Sequence, residues 1–275
     1  MTDAIDWDDA YSNFAYIPDG ASYPDKWRTE AADFRAEMDS KGLLRADISY
    51  GPDPRNRLDL FMPWGDLKGL MIFIHGGYWK EDFDKSVWSH LAKGAHAHGF
   101  AVAVPSYLLC PQVRISDITV QVGLAIARAA GEVAGPIHLT GHSAGGHLVA
   151  RMVTATSPLP QAIRHRIRKT VPISPLTDLR PLMKTRMNET LHLDAIEARL
   201  ESPALLEPQE GIDLTTWVGA AERPEFVRQN ALLANIWSGF DCRIASVEEA
   251  EKHHANIIEG LTTADHPLTR TLLCL

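Results

Sequence analysis

Pro136-Ile137-His138-Leu139-Thr140 runs directly into Gly141-His142-Ser143-Ala144-Gly145, and a helical stretch from Ala144 to about Ala155 follows. An apolar strand, a glycine-flanked serine and a helix in immediate succession are what a nucleophile elbow requires. The glycines have a steric purpose: on a strand-to-helix turn this tight, side chains at 141 and 145 would strike neighbouring backbone. The turn lifts the Ser143 hydroxyl clear of the sheet. It also aims the backbone N–H of Ala144, at the helix N-terminus, toward the place where a tetrahedral oxyanion forms. Ser143 is therefore read as a nucleophile, with a simple glycine-rich turn as the bland alternative.

Outward from the elbow, strands alternate with helices. Gly69-Leu70-Met71-Ile72-Phe73-Ile74 and Phe100-Ala101-Val102-Ala103-Val104 are almost wholly apolar, as strands buried on both faces are. Further strands are expected at Thr170–Ser174, Asp213–Val218 and Arg243–Val247, and two short ones at Leu43–Tyr50 and Leu58–Met62. Helices are expected at Lys85 to His98, closed by Gly99, then at Ile115 to Ala130 and near Pro224–Trp237. This rhythm predicts one α/β domain over residues 1–275, with a mainly parallel sheet and helices on both faces. Residues 1–40 read as an aromatic, acidic N-terminal extension over the body, with a helix through Trp27 to Met38. Residues 176–208 break the rhythm and read as a helical cap insertion.

Composition narrows the function. The 275 residues carry 27 Lys and Arg against 35 Asp and Glu, a formal net charge of −8. That balance disfavours nucleic-acid and anionic-membrane partners, which select a basic surface. The three cysteines (Cys110, Cys242, Cys274) are scattered, so neither a disulfide framework nor a metal site is expected. No apolar run approaches the roughly 20 residues that span a bilayer, and the N-terminus is acidic where a secretion signal would be basic and then apolar. The expectation is a cytoplasmic enzyme without metal or organic cofactor, acting on a small-molecule acyl substrate. A homodimer is left open.

Upstream of the elbow, His75-Gly76-Gly77-Tyr78-Trp79 closes the first strong apolar strand, where the second oxyanion donor of such a site belongs. Backbone duty falls to Gly76 and Gly77 beside Ala144; His75 reads as a brace for the loop. Tyr78, Trp79 and Tyr107 lie in loops at the C-terminal edge of the sheet and are expected to line the substrate pocket. The general base must follow the last strand, which leaves His253 and His254, with His266 better suited to a helix cap. The residues themselves do not choose within the pair. For the acid, Glu222 ends a strand and a small-residue loop and is preferred; Asp178 after the preceding strand is the rival.

The motifs at 75–79 and 141–146, the run Pro224-Glu225-Phe226-Val227-Arg228-Gln229 and the run from His253 to Leu261 together resemble the arylformamidase (kynurenine formamidase) branch of the α/β hydrolases. The likeness extends from about Trp7 onward and departs from the branch at Cys110. It implies the α/β-hydrolase fold, Glu222 as acid, His254 as base, and hydrolysis of the formamide of N-formylkynurenine to kynurenine and formate. Two other readings compete. One is a general short-chain carboxylesterase or thioesterase with the same triad. The other is a hydrolase-like binding protein that has lost catalysis.

Overall fold

The computed structural model describes residues 5–275. Eight strands form one sheet: β1 (Leu44–Ser49), β2 (Arg57–Phe61), β3 (Gly69–Ile74), β4 (Phe100–Pro105), β5 (Ile137–His142), β6 (Ile167–Ile173), β7 (Asp213–Gly219) and β8 (Arg243–Glu249). Their spatial order is β1-β2-β4-β3-β5-β6-β7-β8. The first two strands pair antiparallel, β2 also lies antiparallel to β4, and every pairing from β4 through to β8 is parallel. The apolar runs behave as such runs must in a sheet covered on both sides: every residue of β3, β4 and β5 is buried. At the margin, β8 alternates between exposed and half-buried residues, as an edge strand does.

Helices cover both faces, with two large apolar clusters and a smaller third, around Leu214, Leu233 and Trp237, beneath them. One large cluster holds Leu70, Ile72, Ile118, Val122, Ile126 and Leu148. The other holds Met71, Phe73, Val102, Leu91, Leu268 and Leu272. Neighbouring strand residues such as Leu70 and Met71 fall into opposite clusters because successive side chains point to opposite faces.

Topology then locates the site. From β3 the chain moves to β4 on one side, and then crosses to β5 on the other. The ends of β3 and β5 therefore flank the point where the winding direction reverses, and open α/β sheets form their ligand crevice there. The glycine loop leaves β3 at this point, and the serine leaves β5.

Two expected helices differ from the structure. The stretch 85–98 is two 3₁₀ turns, Lys85–Val87 and Ser89–Ala92, followed by a short α-helix, Lys93–Ala97. The backbone there runs so close to the 257–262 segment that a Cβ on Gly94 would lie 2.5 Å from the Leu261 carbonyl oxygen. Tertiary packing has overridden the helical pattern. The N-terminal helix is longer than expected, Tyr23–Ser40, with Pro24 in its first turn. Residues 176–208 contain four short helical pieces: Arg180–Lys184, Asn188–Leu191, Ala195–Leu200 and Pro203–Leu205.

Candidate active site

Ser143 sits at φ 56°, ψ −117°, immediately before the helix Ala144–Arg151. That conformation is costly for a residue with a Cβ and survives only where its surroundings enforce it. The enforcement is visible. The Ser143 N–H donates to the Ile173 carbonyl at 2.8 Å. A Cβ on Gly145 would fall 1.9 Å from the Ile74 oxygen, and one on Gly141 would fall 2.4 Å from the Gly145 oxygen. The elbow is wedged against the end of β3, and only hydrogen fits at either glycine. Ala144 opens the helix, so its N–H is among the first-turn donors that have no intrahelical acceptor.

The β3 loop presses on the same point. A Cβ on Gly76 would lie 3.1 Å from the Ser143 Cβ. Gly77 at φ +107°, then Tyr78 and Trp79 at φ 47° and 57°, turn the chain back over the elbow. The Gly77 carbonyl accepts from the N–H groups of Lys80 and Glu81 and closes this turn. His75 braces it from within: fully buried, it bonds the Gly76 carbonyl through Nδ1 at 2.8 Å, and burial lowers its pKa to about 4.

The two neighbouring histidines sit in different surroundings. His254 places Nδ1 2.6 Å from Oε2 of Glu222, with both side chains buried. Oε1 of Glu222 accepts the Ser174 hydroxyl at 2.5 Å and the Gly219 N–H at 2.9 Å. Phe226 packs edge-on to the His254 ring at 4.6 Å, and the His142 ring lies 4.4 Å away on another side. Burial, with the neighbouring His254 in support, holds the His142 pKa well below its usual value. The rivals go elsewhere. His253 faces the Tyr23 hydroxyl at 3.3 Å, and His266 caps the helix Pro267–Leu273 by accepting from the Leu268 N–H. Asp178 forms a bidentate pair with Arg180, which holds its carboxyl below the usual range against the effect of burial.

Ser143, His142 and His254 line one pocket with about 50 Å³ of free volume. Its walls are Gly77, Tyr78, Glu81, Phe83 and Trp88, and the N-terminal segment adds Asn13, Phe14 and Trp27. Two of the three expected pocket aromatics need correction. Trp79 and Tyr107 do not line it, being wholly buried in the core beneath. Trp79 packs edge-on against His147 at 5.1 Å. Tyr107 stacks on His75 at 4.2 Å and donates its hydroxyl proton to the His75 carbonyl, so it braces the glycine loop from behind. Tyr78 does reach the pocket, and its hydroxyl donates to the Tyr11 carbonyl at 2.6 Å.

The N-terminal segment as a wall of the site was not foreseen. No residue of 176–208 lines the pocket; instead Arg186 pairs with Asp8 and so steadies the N-terminal segment. The segment is tied down further by Tyr11, which donates to Glu225 and accepts from Gln229. Arg223 pairs with Asp9 and lies over the Tyr16 ring. The run 224–229 thus serves both ends of the site, Phe226 against His254 and Glu225 with Gln229 against Tyr11. The signal was the density of aromatics before residue 30, which is more than a solvated tail needs.

The fold has known counterparts. The model of the alpha/beta hydrolase family matches residues 71–270. The chain belongs to that family. It is 27% identical over 237 residues to kynurenine formamidase of Danio rerio, covering 82% of this chain and 80% of the relative. A shorter match, 33% over 115 residues, links it to isoprenylcysteine alpha-carbonyl methylesterase of Arabidopsis thaliana, covering 39% of this chain and 27% of that one. Among solved structures, a Silicibacter sp. TM1040 protein provisionally described as a thioesterase superposes with a TM-score of 0.93. It is 48% identical, over 98% of this chain and 100% of its own. This α/β hydrolase is accordingly an enzyme with hydrolase activity. Among the described residues no helix is long and apolar enough to cross a membrane, and no group of three or more His, Cys, Asp or Glu could hold a metal. Cys110, the departure from the formamidase pattern, is buried, and burial pushes its thiol up to about 12, so its nucleophilic form is suppressed.

Proposed function

We propose that this hydrolase is a serine enzyme of arylformamidase type, cleaving a small acyl amide through Ser143, His254 and Glu222. The observation that carries the reading is the buried 2.6 Å contact of His254 with Glu222 at a pocket that also contains Ser143. Glu222 fixes the imidazole with Nδ1–H toward itself, which leaves Nε2 free to act as base. His254 takes the Ser143 proton as Oγ attacks the substrate carbonyl. The oxyanion rests on N–H groups of Ala144 and Gly77, with Gly76 keeping the loop close; one such donor is worth about 2.7–4 kcal/mol in the transition state. The imidazolium then protonates the departing nitrogen. Water, deprotonated by His254, attacks the acyl-enzyme, and the acid leaves.

The similarity to kynurenine formamidases over most of both chains points to the formamide. A thioesterase is the second reading, supported by the Silicibacter relative's description.

The test compares N-formylkynurenine with p-nitrophenyl acetate in wild type and Ser143→Ala. Formamide cleavage with kcat/KM of about 10⁴ M⁻¹s⁻¹ or more, abolished by Ser143→Ala, upholds the proposal. Ester cleavage alone, still through Ser143, moves the assignment to a general esterase or thioesterase.

A further inference from the structure

The pocket holds hydrogen-bonding groups that the protein leaves unused. Asn13 is 5% exposed, and neither its Oδ1 nor its Nδ2 has a partner. The indole Nε1 atoms of Trp27 and Trp88, both lining the same pocket, are also buried and unpaired. Glu81, a further wall residue, has neither an ion pair nor a side-chain hydrogen bond among the described residues. Buried polar atoms are overwhelmingly paired in folded proteins, so several orphans on residues that line one small cavity with Ser143 call for a ligand that pairs them.

The two kinds of orphan ask for different things. Trp27, Trp88 and Asn13 Nδ2 offer N–H donors, which suit a carbonyl oxygen. Asn13 Oδ1 and the Glu81 carboxylate offer acceptors, and these need an N–H on the ligand. An ester carries no such proton, whereas a secondary amide or formamide carries one beside its carbonyl. Resting on the serine-hydrolase reading above, we infer that Asn13 is a specificity residue whose side-chain amide accepts the N–H of a bound secondary amide and so separates amide substrates from esters. It reaches the site because Tyr11, two residues earlier, is locked to Glu225, Gln229 and Tyr78. A site built to bond a substrate N–H penalises analogues without one far more than an apolar pocket penalises a missing methylene.

The test uses formanilide and N-methylformanilide, which differ in that N–H, as inhibitors of p-nitrophenyl acetate hydrolysis. In wild type, formanilide is expected to bind at least about tenfold more tightly than its N-methyl analogue. In Asn13→Leu, the ratio of the two inhibition constants should collapse toward one. Asn13→Ser, which keeps a shorter hydroxyl, provides a second reading should the leucine variant unfold on a thermal melt; its ratio should fall between the two. If both inhibitors weaken together, Asn13 merely supports the wall and the inference is overturned. A ratio that stays unchanged, or a wild type blind to the N–H, overturns it equally. Ester hydrolysis that persists in Ser143→Ala would instead bring down the serine mechanism, and that outcome is separate from any change in the ratio.

Discussion

Oε2 of Glu222 lies 2.6 Å from Nδ1 of His254, while its other oxygen is held by the Ser174 hydroxyl and the Gly219 N–H. The carboxylate is therefore fixed from two sides before it meets the imidazole. Glu222→Gln keeps the shape but removes the preference for the Nδ1–H tautomer. It should lower kcat by about 10⁴-fold, with the fold intact. Glu222→Asp, one methylene shorter, should lose less. Steady-state kinetics on both variants tests this; a Gln variant within tenfold of wild type would exclude Glu222 as the orienting acid.

Two glycine-to-alanine changes should act in opposite directions. At Gly145 an added Cβ would meet backbone oxygens of Ile74 and His75 at 1.9 and 2.6 Å, and neither can move without breaking β3. Gly145→Ala should yield little soluble, folded protein. At Gly131, in the exposed last turn of the helix Ile115–Glu132, nothing lies within 4 Å. Gly131→Ala should add roughly 0.4–1 kcal/mol by restricting the unfolded chain. Chemical denaturation of the second variant and expression yield of the first provide the readouts.

The difference between those glycines shows what a sequence displays and what it hides. The elbow was legible because its constraint is local: strand, turn and helix are adjacent in the chain, and the chemistry permits few residues. Strands β3 and β4 were legible because a doubly covered sheet demands uninterrupted apolar runs, and β5, interrupted by His138 and Thr140, because it feeds the elbow. The choice between His253 and His254 was not, since neighbours in a loop differ only in which way the backbone points them. Trp79 and Tyr107 were misplaced for a related reason. An aromatic beside the glycine loop can face the pocket or brace the loop from behind, and only packing against His147 and His75 distinguishes the two. The wall made by Asn13, Phe14 and Trp27 depends on contacts more than 200 residues away in sequence, such as Tyr11 with Glu225 and Gln229.

That long-range tie should be measurable. Tyr11→Phe deletes the hydroxyl shared by Glu225 and Gln229 and keeps the ring against Phe226. Gln229 retains its bonds to Glu225 and the Asp178 carbonyl, so the loss is partial, about 1 kcal/mol in urea unfolding. Because the segment walls the pocket without supplying reacting atoms, KM should rise more than kcat falls. A kcat loss with KM unchanged would instead implicate Tyr11 in the chemical step.

Acid should destabilise the protein well before its carboxylates protonate. His75, His90 and His147 are buried, and burial lowers their pKa values to about 4, 3 and 3. In the unfolded chain a histidine titrates near about 6.5. Above that value neither state binds the proton and the three groups do not affect the balance. As pH falls below it, the unfolded chain takes up protons that the native state refuses, so unfolding becomes easier. The loss continues until the native groups themselves protonate at about pH 3–4. Each such group adds up to about 1.4 kcal/mol per pH unit to the slope, and His142, held well below its usual value by burial, adds to the three. Glu81, whose carboxyl is raised by burial, acts in the opposite sense but is one group against at least four. Urea unfolding at pH 7.5, 6.5 and 5.5 should show little change over the first interval and a clear loss over the second. His147→Gln should remove about one proton from the slope. Equal stability at 6.5 and 5.5 would mean that these imidazoles accept protons in the folded state, and that burial does not hold them neutral.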